Sequence, residues 1–303
     1  MHLQGIPPPH RLHAFLQQSA ATKDLKSGRR VHSLLIACGI SSAISLGDHL
    51  VRFFILCGSF FEANLAFAAI KAPSVQTWQV IIEMHSKFQE NKKVVDLFFL
   101  MKHEGLIPNR AIYVCILKVY ASLKSLKLGI SMHEEIKING IMSDLRLVSA
   151  LIDMYGKCRN IVDAYMVHFT SLQKQKYNVL SWSCLIAVYI NAGEVHEALR
   201  LFYQMQLEGL QPNGVTFSSL LSGFRLNGSN SNLMVSETHG KITHVWANEI
   251  HLSSNDIVGS SLISMYGKFG NLKEARKVFD GVLKRSVVTW NAKIGAYGQN
   301  GYV

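Results

Sequence analysis

His133-Glu134-Glu135 is the one place in this 303-residue chain where a histidine and a carboxylate stand in the H-x-E spacing that serves a hydrolytic zinc. Such a zinc also needs a Cys-x-x-Cys pair downstream. The five Cys, at 38, 57, 115, 158 and 184, are never so spaced, so the match is chance and no metal is expected. Their odd number and scatter argue against a disulfide framework and suit a reducing compartment. No G-x-x-x-x-G-K-[ST], G-x-S-x-G or G-x-G-x-x-G occurs, so phosphate-loop, hydrolase and dinucleotide chemistry have no support. The sequence therefore predicts no catalytic residue, no cofactor and no enzyme.

Hydrophobic residues make up 49% and charged residues 17%, enough apolar surface to offset the entropy of ordering the chain. Gly and Pro are scarce, 22 and 6, which favours helix over a loop-dominated fold. Thirty-one basic residues against 20 acidic ones give a net charge of +11, a balance that suggests a polyanionic partner. The longest apolar run, Phe53 to Phe61, is interrupted by Gly58 and flanked by Arg52 and Glu62, too short to span a bilayer. The first thirty residues hold no secretory core, although no acid precedes Asp24.

The elements that position any functional side chain are legible as repeats. Leu151-Ile-Asp-Met-Tyr-Gly-Lys-Cys158 returns as Leu262-Ile-Ser-Met-Tyr-Gly-Lys-Phe269, with a weaker copy beginning at Leu50. A second series reads Trp78, Met101, Gly105, Pro108-Asn109, then Trp182, Met205, Gly209, Pro212-Asn213, then Trp290. A third sets Gly28 before His32, Gly129 before His133 and Gly240 before His244. These anchors predict units at about 9–43, 44–74, 75–109, 110–144, 145–178, 179–213, 214–255, 256–286 and an incomplete 287–303, after an N-terminal tail of residues 1–8. Leu185, Ile186 and Tyr189, then Val195, Ala198, Leu199, Phe202 and Met205, follow helical periodicity, so each unit is expected to be a helical hairpin. One hairpin cannot bury its own faces and must stack on its neighbours. Trp182, Tyr189 and Phe202 are expected to fill the layers. Asn227-Gly-Ser-Asn-Ser-Asn232 is expected to be a polar loop without helix. Equivalent histidines three units apart stand roughly 30 Å from one another at about 10 Å per layer, which predicts packing rather than metal binding for His32, His133 and His244.

Val179-Leu-Ser-Trp-Ser183, Glu197-Ala-Leu-Arg-Leu-Phe202, Gly209-Leu-Gln-Pro-Asn213 and Glu274-Ala-Arg-Lys-Val-Phe279 resemble the phrases of the plant pentatricopeptide repeat family, in the subclass whose P-, L- and S-type repeats alternate. The resemblance implies an all-α, right-handed superhelical solenoid that binds single-stranded RNA of mitochondrion or chloroplast, one base per unit, selecting sites for cytidine-to-uridine editing or related processing. It implies as partner a separate deaminase-bearing protein, since this chain lacks the zinc ligands, and no membrane.

In the family, the fifth and the last residue of a unit read the base. Carried onto this sequence, the pairs are Asp48/Ser74, Gln79/Asn109, Ser149/Asn178, Ser183/Asn213 and Ser260/Ser286, with Asn291 alone. Val114/Asp144 fits poorly. Ser149/Asn178 and Ser183/Asn213 resemble adenine readers; the pairs with Gln79, Asp48 and Ser260 depart from the common pattern. A plainer role stands beside this one: Ser and Asn at such places also cap helices and make turns. The first unit begins near residue 9 and the last stops within a hairpin, which suggests a fragment or shortened chain. A monomer is expected, with Ile294 and Tyr297 left on an uncovered face. The competing readings are a protein-binding helical scaffold and a truncated remnant without function.

Overall fold

In the computed structural model, the polar residues at 74, 109, 144, 213, 255 and 286 each begin a helix. Ser74, Asn109, Asp144, Asn213, Asn255 and Ser286 hold extended backbone angles, and each side chain accepts a hydrogen bond from a backbone N–H of the turn that follows. A helix N-terminus otherwise leaves those donors without a partner, and such a cap contributes about 1 kcal/mol. Residues 14–16, 18–19, 21–37, 44–172, 179–224 and 230–302 are described, and no strand occurs among them.

The chain divides into two compact bodies, residues 1–123 and 124–303. The first contains α1 (Leu25–Ala37), α2 (Ile44–Leu56), α3 (Phe60–Ala68), α4 (Val75–Lys87), α5 (Asn91–His103) and α6 (Arg110–Ser122). Helix α2 packs on α3 and α4 on α5, while α2, α4 and α6 lie side by side. Val51, Phe54, Ala63, Ile81, Ile82, Met101 and Ile116 are fully buried within it.

The second body contains α7 (Leu126–Ile138), α8 (Leu145–Lys157), α9 (Ile161–Leu172), α10 (Val179–Ala192), α11 (Val195–Leu207), α12 (Gly214–Gly223), α13 (Asn230–Glu249), α14 (Asp256–Lys268), α15 (Leu272–Gly281) and α16 (Val287–Gln299). Again the alternate helices α8, α10, α12, α14 and α16 each pack on the next, and α9, α11 and α15 back them. Trp182 and Phe202 are buried and Tyr189 is half-buried, as layer-filling requires. Gly209 turns the chain after α11 with a φ of 77°, a conformation that only glycine adopts at little cost. The polar segment 227–232 differs from expectation where it is described: Asn230 to Asn232 form the first turn of α13. Asn and Ser are poor helix formers inside a helix but tolerable in its first turn, so a 20-residue helix extends back over them. Ile294 is exposed, and Tyr297 is half-buried with its ring edge-on to Tyr302.

The Gly-x-x-x-His repeat records one packing solution used three times. A Cβ on Gly28, Gly129 or Gly240 would strike Phe53, Met154 or Met265 of the next helix in the chain, so glycine permits a close helix approach. One turn later the histidine meets the residue after that neighbour. His133 Nδ1 lies 2.8 Å from the Tyr155 hydroxyl and His244 Nδ1 2.8 Å from that of Tyr266, while His32 sits edge-on to Phe54. Burial pushes the His133 pKa down to about 4 and that of Tyr266 up to about 12, so both pairs are neutral hydrogen bonds.

Candidate nucleic-acid interface

Helices α2, α4 and α6 in the first body, and α8, α10, α12, α14 and α16 in the second, form rows in which the second, fifth and ninth residues share one face. The fifth residues are Asp48, Gln79 and Val114, then Ser149, Ser183, Ser218, Ser260 and Asn291. The capping residues described above begin the next helix of each row. Three fifth residues are linked by hydrogen bonds to the cap about 30 residues on: Gln79 to Asn109, Ser183 to Asn213 and Ser260 to Ser286.

Gln79 and Asn109 meet directly. Asn109 Nδ2 donates to Gln79 Oε1 at 2.8 Å, its Oδ1 accepts from Ile112 N, and Gln79 Nε2 donates to Glu83. Ser183 and Asn213 meet through a third residue. The Ser183 hydroxyl lies 2.7 Å from Thr216 Oγ1, which donates to Asn213 Oδ1 at 3.1 Å. Asn213 Oδ1 also accepts from Thr216 N, and its exposed Nδ2 has no partner among the described residues. Ser260 and Ser286 meet through Asp256: Ser260 Oγ donates to the Asp256 carbonyl at 2.6 Å, and Ser286 Oγ to its carboxylate at 2.9 Å. Hydrogen bonds from Thr289 and Ser286 hold the Asp256 carboxyl below the usual carboxylate range.

No hydrogen bond joins Asp48 to Ser74; one Asp48 oxygen is buried without a partner, and Ser74 pairs with Thr77 at 3.0 Å. Ser149 donates back to the Leu145 carbonyl at 2.8 Å, and Asn178 lies outside the described residues. Asn291 is exposed, and its side chain has no partner among the described residues. Val114 is half-buried, and Asp144 caps α8. The fifth-position serines 149, 183 and 260 are 7%, 1% and 6% exposed, and their hydroxyls are engaged inside the helix row.

Two features of this face were not singled out from sequence. Leu180, Val215, Ile257 and Val288, each second in its helix, are 43%, 55%, 53% and 62% exposed. They form an apolar row suited to the flat face of a base, beside donors suited to its edge. Their signal was present as apolar residues outside the buried stripe. The other is the Asp256 carboxylate, which occupies Ser286. Arg52 and Lys118, ninth in α2 and α6, add exposed positive charge, whereas Lys157 pairs with Asp153 at 2.8 Å. No cluster of three His, Cys, Asp or Glu able to hold a metal, and no helix long and apolar enough to cross a membrane, occurs among the described residues.

A family model described as PPR repeat family matches residues 177–225, and one described as PPR repeat matches residues 260–287. A chloroplastic pentatricopeptide repeat-containing protein of Arabidopsis thaliana is 31% identical over 98% of this chain and 46% of its own length. A mitochondrial one from the same plant is 31% identical over 91% of this chain and 39% of its own length. The chain thus spans less than half the length of these two relatives. The solved structure of the pentatricopeptide repeat protein PPR10 in complex with an 18-nt psaJ RNA element superposes with a TM-score of 0.62 at 18% identity, covering 91% of this chain and 40% of PPR10. That likeness fixes the fold as a helical-repeat solenoid.

Proposed function

The chain belongs to the pentatricopeptide repeat family, and from that premise we propose that it is a base-selective, single-stranded RNA-binding adaptor for transcripts of chloroplast or mitochondrion. Its units alternate in P, L and S type, and it marks sites for cytidine-to-uridine editing by a separate deaminase-bearing protein. Its relatives' names place them in those organelles, and PPR10 was solved with RNA. The single observation that carries the reading is the unpartnered Nδ2 of Asn213, held by its own capped oxygen beside the Ser183 hydroxyl and the exposed Leu180 and Val215. Base faces rest on the apolar row while the amide donates to a base edge, and the net charge of +11 favours the backbone.

The test is selection of RNA ligands by the wild type and by Asn213→Asp. The wild type is expected to prefer adenine opposite residues 179–213. The variant exchanges an amide donor for an acceptor and is expected to move that position toward guanine, leaving its neighbours unchanged. Identical profiles would reduce Asn213 to a helix cap. A protein-binding scaffold has one observation in its favour, the exposed stripe Val162, Met166 and Phe169 on α9; nanomolar binding to a protein with no affinity for RNA would establish it instead.

A further inference from the structure

We propose that the base reader at residues 179–213 has a third member, Thr216, a positioning residue that lies in the next helix of the row and sets the reading geometry of both Ser183 and Asn213. The inference rests on the RNA-reading proposal above and deepens it. Thr216 lies wholly inside the helix row and its hydroxyl is taken up by Ser183 and Asn213, so it acts on the pair. Its hydroxyl holds both members of the pair at once, 2.7 Å from Ser183 Oγ and 3.1 Å from Asn213 Oδ1, and it also accepts from Asn213 N at 3.2 Å. Two donors, Thr216 N and Thr216 Oγ1, therefore converge on Asn213 Oδ1. With its oxygen pinned from the protein side, the amide has one orientation in which Nδ2 points outward. The Ser183 hydroxyl is held as well: with the Thr216 proton given to Asn213, its single proton goes either to the Val179 carbonyl at 2.8 Å or to Thr216 Oγ1 at 2.7 Å.

The same place in the row carries threonine twice more, and each is fully buried. Thr77 Oγ1 lies 3.0 Å from Ser74 Oγ; Thr289 Oγ1 bonds to Asp256 and is 3.4 Å from Ser260 Oγ. The contrast is Ile112, which has no hydroxyl. There the cap survives through Ile112 N, but the Asn109 amide nitrogen has turned to Gln79, and one of its two N–H donors is taken up inside the protein. A buried hydroxyl with a short fifth residue leaves the closing Asn free to donate outward. An apolar residue with a long amide at the fifth position ties one of that Asn's two N–H donors to a protein acceptor and so redirects the amide.

The experiment is RNA selection and binding with the full chain and the variants Thr216→Val and Thr216→Ser, with thermal melts to confirm folding. Valine keeps the shape and the capping N–H but removes the hydroxyl. It is expected to lower base discrimination opposite residues 179–213 by about five- to tenfold, the worth of about one hydrogen bond, with other positions unchanged. Serine restores the hydroxyl and is expected to restore the wild-type profile, a rescue that a packing role would not produce. A second arm carries the arrangement to residues 75–109 as Gln79→Ser with Ile112→Thr, which is expected to gain selectivity there and decides the matter if Thr216→Val does not fold. Wild-type discrimination in Thr216→Val, lost discrimination in Thr216→Ser, or no gain in the double variant would each overturn the role of the hydroxyl. A wild type with no base preference at any position would instead bring down the RNA-reading proposal, and this inference with it.

Discussion

His168 in α9 is expected to weaken the protein at neutral pH and to weaken it further in mild acid, so that His168→Phe stabilises. At three equivalent places an aromatic side chain meets the repeat's tryptophan edge-on: Phe67 with Trp78 at 4.8 Å and 82°, His168 with Trp182 at 4.5 Å and 75°, Phe279 with Trp290 at 4.8 Å and 71°. The histidine is 2% exposed, and neither ring nitrogen has a hydrogen-bond partner. An unpartnered buried polar group costs about 1–3 kcal/mol, and the slightly larger phenyl ring returns part of that as strain, so a net gain of about 1–2 kcal/mol is expected at pH 7.5.

Acid adds a second term to the His168 argument. Burial holds the folded-state pKa at about 4, below the ordinary 6.5, so the unfolded chain takes up the proton first as pH falls. The contribution is therefore intact above pH 6.5 and lost on the way down to about 4. In full it is worth about 3 kcal/mol, with about 2 kcal/mol gone by pH 5. Urea denaturation followed by far-ultraviolet circular dichroism should show the variant ahead by about 1–2 kcal/mol at pH 7.5 and by about 3–4 kcal/mol at pH 5. A variant less stable than wild type at pH 7.5, or a gap that stays constant between the two pH values, would refute the reasoning.

Tyr155→Phe removes the hydroxyl that meets His133 Nδ1 and leaves both nitrogens of that buried ring unpartnered, since Nε2 already has none; a loss of about 1–2 kcal/mol is expected in a denaturant titration. Lys118→Gln removes an exposed charge from the ninth place of α6, and if an RNA phosphate lies there the slope of log K against log salt should become shallower by about 0.7. Filter binding across a salt series reads that slope, and an unchanged slope would take Lys118 off the RNA path.

Helix content and order were legible because the packing of one helix on the next is written several times over. Gly129 with His133 and Gly240 with His244 stand in the same relation to Met154-Tyr155 and Met265-Tyr266, so two distant stretches of sequence repeat together. The proposed reader pairs were legible as recurring positions but not in their hydrogen bonding. Sequence spacing shows that Ser183 and Asn213 recur in register, and Asn213 with Thr216 is a local capping box; it does not show that Ser183 also meets Thr216, because that contact depends on how far one helix sits from the next. The same limit hid Asp256, whose carboxylate takes up Ser286 across 30 residues.

Repetition makes the departures informative, since each can be compared with its own sister site in the chain. Phe54 where Tyr155 and Tyr266 stand gives His32 a ring in place of a hydroxyl; His168 where Phe67 and Phe279 stand leaves two nitrogens without a partner among the described residues. Both of these are faults of stability inside the layers. Ile112 where Thr77, Thr216 and Thr289 stand causes no such fault, because the Asn109 amide finds Gln79 instead. A change that is free for the fold yet alters how an amide is directed is the kind through which a repeat protein can vary its recognition without disturbing its stack, and under the proposal above the third residue of the next helix takes part in that variation as much as the pair itself.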